Sequence, residues 1–207
     1  LRGESRWCLY ISDNDLKDAK EIESINKRLE KVKEHREKST EKSTRALASK
    51  PNNFYFQSYN ETNSIIIPRT SSERRDYIPM DFLDTSVIIS DAAQAIYNAR
   101  PWLLGLLSSK MHMAWVKAVA GRLKSDFRYS SAICYNTFPF PNISEQRKNE
   151  ITQCVFRILE ERAKHSEKTL AQLYDPDKMS EGLREAHRLN DLAIERCYRS
   201  KPFETDE

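Results

Sequence analysis

Two short stretches hold the residue types best suited to reading a polyanion. Arg69-Thr70-Ser71-Ser72-Glu73-Arg74-Arg75 mixes guanidinium groups and hydroxyls behind a proline, Pro68. Arg122-Leu123-Lys124-Ser125-Asp126-Phe127-Arg128-Tyr129-Ser130 mixes donors, acceptors and aromatics. On loops, such groups suit phosphate oxygens and base edges. A surface ion-pair loop is the plainer reading of either cluster alone. Two of them in one small body point to nucleic acid.

Catalytic spacing is missing. The chain has no G-x-S-x-G, H-E-x-x-H, P-loop or G-x-G-x-x-G. His35, His112, His165 and His187 stand far apart and read as surface or satisfied helix residues rather than ligands. Cys8, Cys134, Cys154 and Cys197 are dispersed without metal-ligand spacing, which points to small buried thiols in a reducing, cytoplasmic compartment. Asp175-Pro176-Asp177 has no nuclease lysine motif after it and reads as a turn before a helix.

The elements that carry these residues follow from periodicity. Trp7 to Ile11 reads as a short strand, and Ser12-Asp13-Asn14-Asp15 as the turn capping a long helix to about Lys38. Leu16, Ala19, Ile22, Ile25, Leu29 and Val32 form its apolar stripe. Phe54 to Tyr59, Gln57 included, and Ser64 to Ile67 read as a hairpin around Asn60-Glu61-Thr62-Asn63. Further strands are predicted at 77–79, 86–89, 94–97 and 133–135. Ser108 or Ser109 caps a helix that Gly121 ends. Two C-terminal helices are predicted, one from Asn142 or Ser144 to about His165, the other after Asp175-Pro176. The fold class is α+β: a mixed strand/helix body with a long N-terminal helix and a C-terminal helical appendage.

Composition bounds the function. The chain has 207 residues, enough for one domain with an appendage. Only 4 glycines are present, too few for glycine-rich phosphate loops. No apolar run approaches the ~20 residues of a membrane span. The net charge of +3 hides its distribution, because residues 100–128 hold 6 basic groups against 1 acidic. Such a local basic stretch is the electrostatic footprint of a polyanion partner. The chain opens on Leu1 rather than Met, which reads as a piece of a longer protein.

Ile67-Pro68-Arg69-Thr70-Ser71-Ser72-Glu73-Arg74-Arg75-Asp76-Tyr77-Ile78-Pro79 resembles the P-x-x-S-S-E-R-R-x-Y-I-P segment of MmeI-like bacterial restriction–modification proteins. Ser108 to Leu123 is similar to that family's S-x-M-H-x-A-W-V-x-x-V-A-G-R-L. Arg128-Tyr129-Ser130 with Tyr135 to Pro141 is similar to its R-Y-S…Y-N-x-F-P-x-P. Leu173-Tyr174-Asp175-Pro176 with Ala186-His187-Arg188 is similar to its L-Y-D-P…A-H-R. The chain departs from it at Ser180, where the family carries proline, and the expected effect is confined to a helix start.

The resemblance implies a target recognition domain, residues 1–141, and a helical region, residues 142–207. The parent it implies joins an adenine-specific DNA methyltransferase and an endonuclease, with S-adenosylmethionine and Mg2+ serving parts absent from this chain. The implied partners are double-stranded DNA and the parent's methyltransferase domain, and the implied role of this chain is reading sequence without chemistry.

The resemblance implies that the family's base-contacting positions, which differ between members, fall at Arg69 with Asp91 and at Lys124 with Asp126. Arg or Lys can donate to guanine O6 and N7 while Asp accepts from cytosine N4, so each pair suits one G·C base pair. An internal salt bridge is the plainer reading of each pair. Ser71, Ser72, Arg74, Arg75, Arg122 and Arg128 are expected on the DNA backbone, with Glu73 pairing one of the arginines. A helical protein-docking module and a small nuclease are the competing classes.

Overall fold

A computed structural model describes residues 7–56, 58–201 and 203–205. It comprises two compact units, Ser5–Tyr59 and Asn60–Glu207.

The first unit is helical. The expected long helix forms as two, α1 (Leu16–Glu21) and α2 (Glu23–Glu37). Ile22 breaks it with extended backbone, φ −83° and ψ 106°. A short α3 (Lys42–Ala46) follows. Arg36 ties the next loop to α2 by donating to the carbonyls of Leu47 (3.1 Å), Lys50 (2.8 Å) and Asn53 (2.7 Å). No strand forms at Trp7 to Ile11; the segment has no partner strand among the described residues. It is held instead by Asn52, whose buried side chain donates to the Ile11 carbonyl at 3.2 Å. The expected strand at 54–59 does not form either, and Gln57 lies outside the described residues.

The second unit carries two small antiparallel sheets. The first contains β1 (Ser64–Pro68), β3 (Asp81–Leu83) and β4 (Ala93–Tyr97) in the order β3-β1-β4. The second contains β2 (Thr70–Ser71), β5 (Gly121–Leu123) and β6 (Asp126–Arg128) in the order β2-β6-β5. β1 therefore pairs with β3 and β4, not with the predicted 54–59 strand. Arg69 alone separates β1 from β2, so one run of chain passes from sheet to sheet. Its N–H donates to the Ala92 carbonyl at 3.3 Å, and its own carbonyl accepts from Tyr129 N–H at 2.9 Å.

Among the described residues, five α-helices complete this unit. α4 (Pro101–Leu107) starts with proline at its first position and buries Leu104, Leu106 and Leu107. α5 (Lys110–Val119) is capped by the Ser109 hydroxyl, which accepts from His112 N–H at 3.2 Å. Gly121 does not end it: Ala120 is already extended and Gly121 is the first residue of β5. The predicted strand at 133–135 is instead a wide π turn, Ser131–Tyr135. α6 (Glu145–Ala163), α7 (Leu170–Leu173) and α8 (Glu181–Tyr198) follow. Ser180 is the cap of α8, accepting from Leu183 N–H at 3.4 Å, so the departure from proline does fall at a helix start.

The α+β class holds, and the core shows how the parts join. Ile65 and Ile67 of β1, Leu106 of α4, Ile151 and Val155 of α6 and Ile194 of α8 belong to one buried cluster. The sheets and the C-terminal helices thus share a core. Among the described residues no helix is long and apolar enough to cross a membrane.

Candidate nucleic-acid interface

The strand register sorts the second sheet's side chains. Thr70 faces Arg128, Arg128 faces Gly121, and Leu123 faces Asp126. Directly opposed residues of an antiparallel pair share a face. One face therefore carries Thr70, Arg128, Asp126, Gly121 and Leu123. The other carries Ser71, Phe127 and Arg122. Phe127 and Ser71 are buried, so the first face is the solvent side.

Lys124 sits at the tip of this β5–β6 hairpin with φ 57°. Primed two-residue hairpin turns require positive φ at their first position. Lys124, a non-glycine residue, takes up this strained backbone and is exposed to solvent. Arg69 and Asp91 lie away from that tip, Arg69 between β1 and β2 and Asp91 in the segment leading into β4. Arg69 bonds Ala92, and Asp91 is the residue before it. Arg69, Asp91 and Lys124 are exposed and Asp126 half-buried. None of the four side chains enters a hydrogen bond or ion pair among the described residues. The internal salt bridges that the residue types allow do not form.

The expected backbone-contacting group is not uniform. Ser71 is buried at 1% exposure, so its hydroxyl does not reach the surface and cannot meet a phosphate in this conformation. Ser72 is half-buried and accepts from Arg74 N–H at 3.4 Å. Arg74 is already bonded to Asp177 at 2.6 Å. Arg75 donates to the Ala171 carbonyl at 3.3 Å. Arg122 lies 4.1 Å over the Phe127 ring, donates to the Ser125 carbonyl at 2.9 Å and pairs with Glu73 at 3.2 Å. Arg128 is exposed, without a side-chain partner among the described residues, and shares its face with Asp126.

Behind the ribbon lies a buried polar network that spacing did not reveal. The Tyr77 ring stacks on His187 at 4.1 Å. Its hydroxyl donates to Asp191 at 2.7 Å, and Asp191 also accepts Lys110 N–H at 2.9 Å. Tyr174 joins His187 Nε2 at 2.7 Å and accepts from the buried Arg162, which also donates to the Met80 carbonyl at 3.0 Å. His112 Nε2 meets the Tyr129 hydroxyl at 3.0 Å. Burial pushes His112 and His187 down to about 3 and the Asp191 carboxyl up to about 6. Both imidazoles are fully enclosed and neutral, so they are posts rather than acid–base groups. Among the described residues, no group of three or more His, Cys, Asp or Glu is arranged to hold a metal ion.

Comparison with known proteins decides the lineage. The chain matches the MmeI target recognition domain over residues 1–142 and the MmeI C-terminal domain over residues 143–207. It belongs to the MmeI family. DNA methyltransferase A of Bacillus subtilis (strain 168) is 46% identical over 209 residues, covering 100% of this chain and 23% of that protein. A solved structure of the type IIL restriction–modification enzyme MmeI in complex with DNA superposes with a TM-score of 0.89 at 40% identity, over 97% of this chain and 27% of that one. The chain thus spans about a quarter of the proteins it matches.

Within this MmeI-family chain, the motifs that carry the resemblance meet one another. Tyr77 of the first, Lys110 of the second, and Tyr174 and His187 of the last belong to one buried network, and His112 of the second is bonded to Tyr129 of the third. The signal that could have found it is Asp191 and Arg162: charged residues on the apolar sides of amphipathic helices.

Proposed function

We propose that this chain is the sequence-reading module of a bifunctional restriction–modification enzyme and binds double-stranded DNA without performing chemistry. Residues 1–141 form its recognition domain and residues 142–207 the helical region that braces it. The observation that carries this reading is the state of Arg69, Asp91, Lys124 and Asp126, the first two where the chain passes between the sheets and the last two on the β5–β6 hairpin, all with their side chains uncommitted. A basic donor beside an acidic acceptor suits a guanine and its paired cytosine, at about 1–3 kcal/mol of discrimination per good contact. Lys124 with Asp126 reads one G·C pair, and Arg69 with Asp91 another. Arg74, Arg75, Arg122, Arg128 and Ser72 hold the DNA backbone, while Ser71 is left to the core.

In the full-length parent, the adenine-specific methyltransferase domain is the partner in the same chain and supplies S-adenosylmethionine chemistry. The endonuclease supplies Mg2+-dependent cleavage. The deciding experiment exchanges the charges, Lys124→Asp with Asp126→Lys, in the full-length enzyme. Methylation should move to a different base at one position of the target. Unchanged methylation specificity sinks the assignment.

A further inference from the structure

Gly121 opens β5 directly opposite Arg128. Glycine in a strand gives up more backbone freedom on folding than any other residue and leaves nothing to pack. A fold ordinarily recovers that in one of two ways: positive φ, or an approach too close for a Cβ. Gly121 uses neither. Its φ lies outside the left-handed region, and a Cβ built on it meets nothing within 4 Å among the described residues. Gly105 shows the contrast, because a Cβ there would lie 2.5 Å from Ile151.

The missing side chain belongs to a particular place. Gly121 shares its face with Arg128, Asp126, Leu123 and Thr70, the solvent face of the sheet. The row across the sheet runs Thr70, Arg128, Gly121. The exposed, uncommitted Arg128 thus stands between a short side chain and none. A glycine that its own fold does not need, in the floor of a charged face, marks where another molecule's surface comes close.

We propose that Gly121 is the point of closest approach between this chain and the sugar–phosphate backbone of the duplex. This rests on the DNA-reading assignment. The bare backbone of β5 lets the duplex seat deeply enough for Lys124 and Asp126, one hairpin tip away, to reach base edges. A side chain at 121 holds the duplex off the sheet. Base contacts are short and directional, so they weaken first; the long-range attraction to phosphates survives.

The test uses the full-length enzyme with Gly121→Ala and Gly121→Val, measuring thermal unfolding and affinity for target and non-target duplexes. Both variants should unfold at or above the native temperature, since valine favours strands. Target affinity should fall in order of size, by about tenfold for valine, with non-target affinity nearly unchanged. Native target affinity in the valine variant overturns the proposal. A lowered unfolding temperature also overturns it, because the glycine is then structural. Lost methylation with intact target binding overturns it too, because Gly121 then faces a domain of the parent. The Lys124→Asp, Asp126→Lys exchange run alongside separates the two ideas. If the exchange moves specificity while Gly121→Val is silent, only the close approach fails. If the exchange is silent as well, the reading of this face fails with it.

Discussion

The Tyr77 ring lies flat on the His187 imidazole, with centroids 4.1 Å apart and planes 24° from parallel. Tyr77 comes from the loop before β3 and His187 from the middle of α8. The Tyr77 hydroxyl continues to Asp191, one turn further along α8. One aromatic thus ties the C-terminal helix to the loop that leads into β3. Tyr77→Phe keeps the stack and removes the donor, leaving a buried carboxyl short of a partner. Its expected cost is about 1–3 kcal/mol in urea unfolding. A loss below a few tenths would mean that the hydroxyl contributes nothing net.

The same network sets a pH dependence. His112 and His187, with folded values of about 3, stay neutral in the native state at pH 5, while unfolded histidines near 6.5 are protonated. Each depressed value adds stability that is full above 6.5 and lost as pH falls. Asp191, raised to about 6, acts oppositely, and its contribution is lost as pH rises through 6. Tyr77, Lys110 and Glu195 face Asp191, and Arg162, Tyr174 and Tyr77 face His187. Near pH 5, unfolding takes up about two protons at the histidines and releases about one from Asp191. Stability should rise by about 1.4 kcal/mol per pH unit there. Asp191→Asn should steepen the slope toward two protons; a shallower slope contradicts the buried-carboxyl account.

Sequence periodicity is legible where burial is one-sided. Ser109 and Ser144 were readable as caps, and the α6 and α8 stripes were readable because Ile151, Val155, Leu183 and Ile194 recur at helical spacing. Long-range pairing was not legible. Ser64–Pro68 is a strand as expected, but its partners lie at 81–83 and 93–97, set by contacts that no local pattern encodes. Phe54, Tyr55 and Phe56 suit a strand yet stay exposed, since aromatic content measures suitability for a strand and not the presence of a neighbour. The two candidate pairs come from resemblance and residue chemistry. Their uncommitted state is a property of the fold.

Gly105 packs α4 against α6 and α8. A Cβ there would come within 2.5 Å of Ile151 and 2.8 Å of the Asn190 side chain, whose amide donates to the Gly105 carbonyl at 2.8 Å. Gly105→Ala should therefore destabilise by about 1–3 kcal/mol through overpacking, despite alanine's better helix propensity. A raised unfolding midpoint would show that the helices can part without loss.

Arg162 is 6% exposed and serves Tyr174, the Met80 carbonyl and Asp81 at once. It joins α6 to the start of β3. Arg162→Met should cost about 3–5 kcal/mol, because three groups lose a shared donor. The expected signature is unfolding of sheets and helices in one step, since both halves share the core. Separate transitions for residues 60–141 and 142–207 would contradict that.

Arg74 and Arg122 are held by Asp177 and Glu73, with both pairs well exposed to solvent. Exposed pairs contribute about 0–1 kcal/mol, so a phosphate can displace either carboxylate at little cost. Under the proposed DNA-binding role, the carboxylates would compete with DNA for the same guanidinium groups. Asp177→Asn should raise affinity for target and non-target duplexes alike, by up to about fivefold. Arg74→Ala should lower both and reduce the salt slope by about one. A loss confined to the target sequence would move Arg74 from the backbone to a base, and no change in either variant would leave it as an ion pair of the free protein.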